Sequence, residues 1–239
     1  MTKPRPAPSD LQLMRLQQLT DNSSNIVVGV DEVGYGSWAG PLVVGGVVLP
    51  KEWDHDLCRD SKDLTERQRE AALNELDTEW FAAVVMGMEA VDVDQLGVGI
   101  ARHHLTTWVA QLLIERFPGA VIVQDGDTPA PVPGGDPANM LCMPGADAQV
   151  PAVSAASILA KVTRDRDMTE YAQVFPGYAF ESNKGYHSVD HVKGLDQLGP
   201  CPIHRFSYKP IKKYMVSSVV WQSPRRKTGI NVWTSYPKL

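Results

Sequence analysis

Four carboxylates in this chain sit where a cation would be needed to offset them. Asp31 and Glu32 are adjacent and follow the β-branched run Ile26 to Val30, which puts both at the mouth of a buried strand. Like charges in such a place raise each other's pKa and resist desolvation. Asp125 closes a second apolar run, Ala120 to Gln124, and Asp147 lies in the loop ahead of a strong helix signal that begins at Pro151. A set of oxygen donors with no His or Cys suits a hard divalent ion, Mg²⁺ or Mn²⁺, better than zinc. Each acid also has an ordinary reading: Asp125-Gly126 is a common turn, Asp147 would be favourable near a helix N-terminus, and Asp31 could cap a strand. Spacing along the chain does not by itself bring the four together.

The elements that must position them follow from pattern. Ile26 to Val30, Leu42 to Leu49, Trp80 to Met88 and Ala120 to Gln124 read as strands, and Val98 to Phe117, Pro151 to about Tyr171 and Val189 to Leu198 as helices. Thr128 to Asn139, rich in Pro, Gly and Asp, reads as a surface loop. A loose arm with a short helix around Leu11 to Leu19 precedes the first strand, and the stretch from Gln222 reads as an irregular tail. The expected organisation is an arm over residues 1–24, one catalytic domain over 25–221 and a basic tail over 222–239. The fold class is α/β, a mixed β-sheet flanked by α-helices with a small helical or irregular C-terminal extension.

Composition narrows the function. The 239 residues, 43% hydrophobic, suffice for one substantial core. No run approaches the roughly 18 apolar residues of a membrane span, and MTKPRPAPSD lacks an apolar signal core, so a cytoplasmic protein is expected. Cys58, Cys142 and Cys201 form no CxxC pair, against both a disulfide framework and structural zinc. The net charge of -5 hides an asymmetry: Cys201 to Leu239 holds eight Lys or Arg and no acid. That segment, with Arg225, Arg226, Lys227 and Lys238, suggests a basic surface for nucleic acid.

Four blocks carry a family resemblance. VGVDEVGYGSWAGPLVVGGVVL resembles the opening motif of ribonuclease HII, RDSKDLTERQRE its second block, VPAVSAASILAKVTRDRDM its most distinctive helix, and FPGYAFESNKGYHSVDHVKGLDQLGPCPIHRFSYKP its last block. They occur in family order over about Ile26 to Pro210. The resemblance implies a ribonuclease H-like fold, with Asp31, Glu32, Asp125 and Asp147 as the catalytic, metal-binding acids. It implies hydrolysis on the 5′ side of a ribonucleotide in an RNA–DNA hybrid or in duplex DNA, leaving 3′-hydroxyl and 5′-phosphate ends by two-metal-ion catalysis.

Substrate contacts are expected around that centre. The family's Gly-Arg-Gly turn, read here as Gly34-Tyr35-Gly36, meets the ribose 2′-hydroxyl largely through backbone groups. Tyr35 departs from the pattern by replacing a cation with a neutral hydroxyl and an aromatic face. Tyr186 matches the tyrosine that stacks on the following sugar, and Lys62 is a candidate phosphate contact. Ser154, Ile158, Lys161 and Asp165 share one helical stripe, so Ser154 and Lys161 either face the substrate or, for Lys161, pair with Asp165. His187 and His191, four apart on an expected helix, read as a solvated face rather than a zinc site. Gly145-Ala146 stands where the family commonly has Lys-Gly. A weakened, binding-only protein is the competing reading, and a type 3 ribonuclease H would call for a larger N-terminal domain. A monomer is expected, with a replication clamp as a candidate partner.

Overall fold

The computed structural model describes residues 7–22, 26–50, 64–215 and 230–235. In chain order the elements are α1 (Asp10–Asn22), β1 (Ile26–Val33), β2 (Leu42–Pro50), α2 (Glu66–Glu79), β3 (Ala82–Met88), α3 (Ala90–Leu96), α4 (Val98–Arg116), β4 (Val121–Asp125), β5 (Met140–Met143), α5 (Pro151–Val174), α6 (Phe180–Asn183), α7 (Val189–Leu198), α8 (Lys209–Lys212) and β6 (Ile230–Ser235). The sheet order is β5-β4-β1-β2-β3-β6. β1, β2, β3 and β6 are antiparallel neighbours, and β4 lies parallel to both β1 and β5. The sheet is therefore mixed, as the interleaving of strands and helices implied.

Alternation along the strands divides the core into two layers. Val27, Val43, Val47, Val121 and Val123 pack with Ala72 and Leu76 of α2 and the apolar side of α5. Val28, Val30, Val44, Val48, Val84 and Ile122 point the other way, onto Leu105, Val109 and Leu113 of α4. A third cluster, with Met168, Tyr178, Phe180, Leu195, Ile203 and Ile211, holds the segment after α5 against the loop that follows β1.

Small residues let α5 lie unusually close to the sheet. A Cβ at Gly29 would sit 2.1 Å from the carbonyl carbon of Ala152, and one at Gly45 would sit 2.5 Å from the oxygen of Ala156. The alanines at 152, 156 and 160 recur at helical spacing, so the SAASILAKV run is what permits this approach. Gly45 pairs with Asp31 across the β1–β2 ladder, so one of these two close approaches lies beside the first acid.

Several elements depart from expectation. Trp80 and Phe81 are not strand: Trp80 is the C-cap of α2, its N–H donating to Leu76, and β3 starts at Ala82. The helix α2 opens on a capping box, Thr65 with Gln68, which the TERQ run encodes. The stretch from Gln222 is not wholly irregular, because β6 pairs with the outer edge of β3 from Ala83↔Ser235 to Met88↔Ile230. Arg225, Arg226, Lys227 and Lys238, like Lys62, lie outside the described residues. No described helix is long and apolar enough to cross a membrane.

Candidate active site

β1 and β4 run side by side in register, Val30 opposite Gln124, so their ends deliver Asp31-Glu32 and Asp125 to one place on the sheet. The Asp125 carboxylate accepts a hydrogen bond from the Ala146 N–H at 2.8 Å. That bond draws in the 3₁₀ turn Ala146–Ala148, whose Asp147 is buried. Gly145 enters this turn at φ +75°, a left-handed conformation that glycine adopts without strain. Gln124 is buried and exchanges two side-chain bonds with the backbone of Ala130, fixing the loop beyond Asp125.

Asp31 is only 5% exposed. Burial, followed by the charges of Glu32, Asp125 and Asp147, holds its carboxyl well above the usual carboxylate range, while a hydrogen bond with Ser157 of α5 works in the opposite sense. The four acids are therefore electrostatic neighbours. Among the described residues, however, no three of their ligating groups converge on a common point. The local bonds give the reason: Glu32 is drawn to Arg102, with Oε2 3.1 Å from Nε, and Asp125 is held by Ala146. The donors are nonetheless four hard oxygens around a buried carboxyl that resists ionisation, a combination that a divalent cation relieves and that these residues fit.

Directly after β1, Gly34 takes φ +88° and opens the turn Gly34-Tyr35-Gly36. Its N–H donates to the Tyr186 hydroxyl at 3.1 Å, joining the turn to the last sequence block. A Cβ at Gly36 would meet nothing within 4 Å, so the turn presents an open backbone surface there. Two fully buried arginines support it from below. Arg164 of α5 donates to the carbonyls of Pro41, Lys184 and Ala39 and to the Ser37 hydroxyl, and its guanidinium lies 5.3 Å from the Tyr186 ring. Arg205 donates to the carbonyls of Gly40 and Tyr35 and to the Tyr208 hydroxyl. Burial pushes the Arg164 guanidinium down to about 10.

Behind Tyr186 two buried histidines face each other. His191 Nδ1 faces the Tyr186 carbonyl at 2.8 Å and must carry a proton, which leaves its Nε2 as an acceptor in the neutral ring. His204 Nδ1 lies against the backbone of Cys201, 2.9 Å from its amide nitrogen and 3.1 Å from its carbonyl oxygen, and its Nε2 is 3.0 Å from His191 Nε2. Both rings are fully buried. The expected solvated helix face is thus wrong for His191, and His187 lies before α7 rather than on it.

The family model for ribonuclease HII matches residues 28–211. The chain belongs to the ribonuclease HII family. Ribonuclease HII of Rhodococcus erythropolis is 42% identical over 185 residues, which cover 76% of this chain and 79% of that protein. Ribonuclease HII of Halorhodospira halophila is 38% identical, covering 79% and 94% of the two chains. Among solved structures, the ribonuclease H2 from Pyrococcus horikoshii OT3 superposes with a TM-score of 0.67 at 26% identity, over 79% of this chain and 96% of that one. As a member of the family, the protein is a metal-dependent endonuclease with ribonuclease H activity. Nothing in these comparisons points to a binding-only protein.

Against this ribonuclease HII background, the residues singled out from sequence fall into groups. Asp31, Glu32, Asp125 and Asp147 come together, and Gly34, Tyr35, Gly36 and Tyr186 form a contiguous surface beside them. Ser154 is buried at 1% exposure, one helical turn before Ser157, and it is Ser157 that bonds Asp31. Lys161 makes the ion pair with Asp165, at 2.6 Å, while its ammonium also stands 6.0 Å from the centre of the Tyr186 ring. Sequence reasoning passed over Ser157, Arg102, Arg164, Arg205 and His204. For Ser157 and Arg164 a signal existed, since 157, 161 and 164 share one side of the helix. For Arg102 there was none.

Proposed function

We propose that the protein cuts the phosphodiester on the 5′ side of ribonucleotides, in RNA–DNA hybrids and at ribonucleotides embedded in duplex DNA, leaving 3′-hydroxyl and 5′-phosphate ends. Asp31, Glu32, Asp125 and Asp147 are the groups that would hold Mg²⁺ or Mn²⁺. Bound there, such ions supply activation of the attacking water and charge stabilisation at the scissile phosphate and the departing 3′-oxygen. The observation that carries the reading is the continuity of β1: the acids at its end run within two residues into the turn that bears Gly34 and Gly36.

The chain's own groups account for selectivity. The amides of Tyr35 and Gly36 and the carbonyl of Gly36 have no partner among the described residues. A 2′-hydroxyl both donates and accepts, so it satisfies such groups where a deoxyribose leaves them bare. The open space at Gly36 allows the sugar to approach. Tyr186, anchored by Gly34 through its hydroxyl, offers its ring to the next sugar, and rejection of plain DNA follows from the unmet polar groups. Lys161 and Lys62 complete the proposed contacts, whereas Ser154, buried in α5, is left out of them. A place in ribonucleotide excision repair and replication, in the cytoplasm, with action as a monomer and clamp docking by the basic tail, belongs to the same proposal.

The test is cleavage of a duplex carrying one ribonucleotide, of a long RNA–DNA hybrid and of an all-DNA duplex, each with Mg²⁺, Mn²⁺ or a chelator. The expected result is metal-dependent cutting of the first two substrates, with a 3′-hydroxyl product, and none of the third. Chelator-resistant cutting, or cutting on the 3′ side of the ribonucleotide, would overturn the reading.

A further inference from the structure

Arg102 departs from the other charged groups around the acids. It projects from α4, on the face of the sheet opposite α5, and its side chain is 12% exposed. Its three nitrogens go to three acceptors on two separate segments: Nε to Glu32 Oε2 at 3.1 Å on β1, one terminal nitrogen to the Asp125 carbonyl at 3.0 Å, and the other to the Thr128 carbonyl at 3.2 Å just beyond β4. This is not the two-pronged clasp by which arginine usually takes a carboxylate, since a single nitrogen meets Glu32. The remaining bonds fix the end of β4 and the loop beyond it. Gly126 makes room: at φ +105°, a Cβ there would stand 2.8 Å from the guanidinium.

We propose that Arg102 is a positioning residue for the metal-binding acids, setting the orientation of Glu32 and its separation from Asp125. This rests on the reading of those acids as metal ligands. Two opposite effects could follow from such a cation. As a charge alone, it would repel an incoming divalent ion, and removing it would tighten binding. As a clamp, it would keep two ligands from having to be ordered by the ion, and removing it would weaken binding. The planar fork decides in favour of the clamp, because three bonds that tie the end of β1 to the end of β4 and its loop specify a geometry that charge compensation does not need. Lysine has the charge without the fork and should not substitute.

The experiment is Mn²⁺ titration of the substrate-free protein, followed by electron paramagnetic resonance or calorimetry, on the wild type and on Asp31→Asn, Arg102→Met and Arg102→Lys, with thermal unfolding of each. Asp31→Asn identifies the binding phase that belongs to the acids. Both Arg102 variants are expected to weaken that phase by about tenfold or more, the scale on which ligand-orienting neighbours act. Wild-type affinity in Arg102→Lys would reduce the residue to its charge, and tighter binding in Arg102→Met would make it a competitor of the ion; either overturns the proposal. If Arg102→Met fails to fold, Arg102→Lys alone decides. Mn²⁺ binding indifferent to Asp31→Asn would remove the site assignment itself, whereas an Asp31-dependent phase unmoved by both Arg102 variants would remove only the role of Arg102.

Discussion

The end of β1 and the cradle beneath the next turn both bury formal charge, and they resolve it in opposite ways. In the cradle, Arg164 and Arg205 are inaccessible and hydrogen-bonded to carbonyls and hydroxyls, with no bonded carboxylate among the described residues. Backbone dipoles disperse each cation, so the charge is settled within the fold. At the end of β1 the negative charges crowd one another, and the bonds from Arg102, Ser157 and Ala146 leave Asp31 still reluctant to ionise. One region spends its polar groups on rigidity. The other keeps an electrostatic deficit that a bound cation would relieve, and deficits of that kind are concentrated at functional sites.

Neutralising the crowded end gives the largest expected effect. Asp31→Asn, or Asp125→Asn, should lower kcat by roughly three orders of magnitude or more in steady-state cleavage assays, with duplex binding retained. Asp31→Asn should also make the metal-free protein more stable at neutral pH, by urea unfolding, because it removes a carboxyl whose ionisation the fold opposes. Near-normal kcat, or a loss of stability, would show that the two regions do not differ in the way described.

Protons should push the two regions in opposite directions. Burial lowers His204 to about 3 and also lowers His191. From about pH 6.5 downward the unfolded chain takes up a proton that His204 refuses in the fold, so the cradle's contribution to stability falls with pH, by about 2–3 kcal/mol from pH 7 to 4.5. Asp31 has the opposite sign. Its raised pKa makes the fold hold a proton that the unfolded chain has lost, so its contribution is intact in acid and is lost as the pH rises through the folded value. Unfolding in chelator across this range should show His204→Asn flattening the acid slope and Asp31→Asn steepening it. Parallel slopes in all three proteins would mean that the regions do not oppose each other.

The smallest effect is expected at Tyr35, on the boundary between them. The residue is 44% exposed, and the fold uses its carbonyl, which accepts from Arg205 and Tyr208, rather than its ring. Tyr35→Arg should leave stability within about 0.5 kcal/mol. It should lower KM on a lone-ribonucleotide duplex by less than about tenfold, the scale of one exposed charge-assisted contact. kcat should stay nearly constant, because binding gained equally in ground and transition states does not speed chemistry. A kcat increase of orders of magnitude would place the turn in the chemical step.

Much of this was legible in the sequence because it depended on local pattern. Continuous apolar, β-branched runs set β1 and β2, the alanine-rich run set α5, and the carboxylates at two strand ends were visible in the sequence itself. β5 and α3 were not anticipated, being too short to declare a period. β6 was hidden for another reason: INVWTS lies within a basic, Pro-containing stretch, and its place is set by the free edge of β3 rather than by its own composition. The cradle escaped because arginines at 164 and 205 read as surface residues, and only tertiary contact reveals the carbonyls that accept from them. Arg102 escaped for the same reason, since its partners, Glu32 and the Asp125 to Thr128 stretch, are brought to it only by the fold.

The pairing of β6 with β3 also bears on how the molecule is made. Residues 82–88 leave the ribosome long before residues 230–235, and through that interval the outer side of β3 is a row of unsatisfied amides and carbonyls backed by an apolar layer. The nascent chain therefore carries a sticky border that only its own distal segment covers in register. Shortening the protein after Trp221 would delete that cover along with the basic residues, so the shortened protein would tend to self-associate, and its lost affinity would say little about charge. Replacing Arg225, Arg226 and Lys227 by glutamine while keeping Ile230–Ser235 isolates the electrostatic contribution and leaves the border closed.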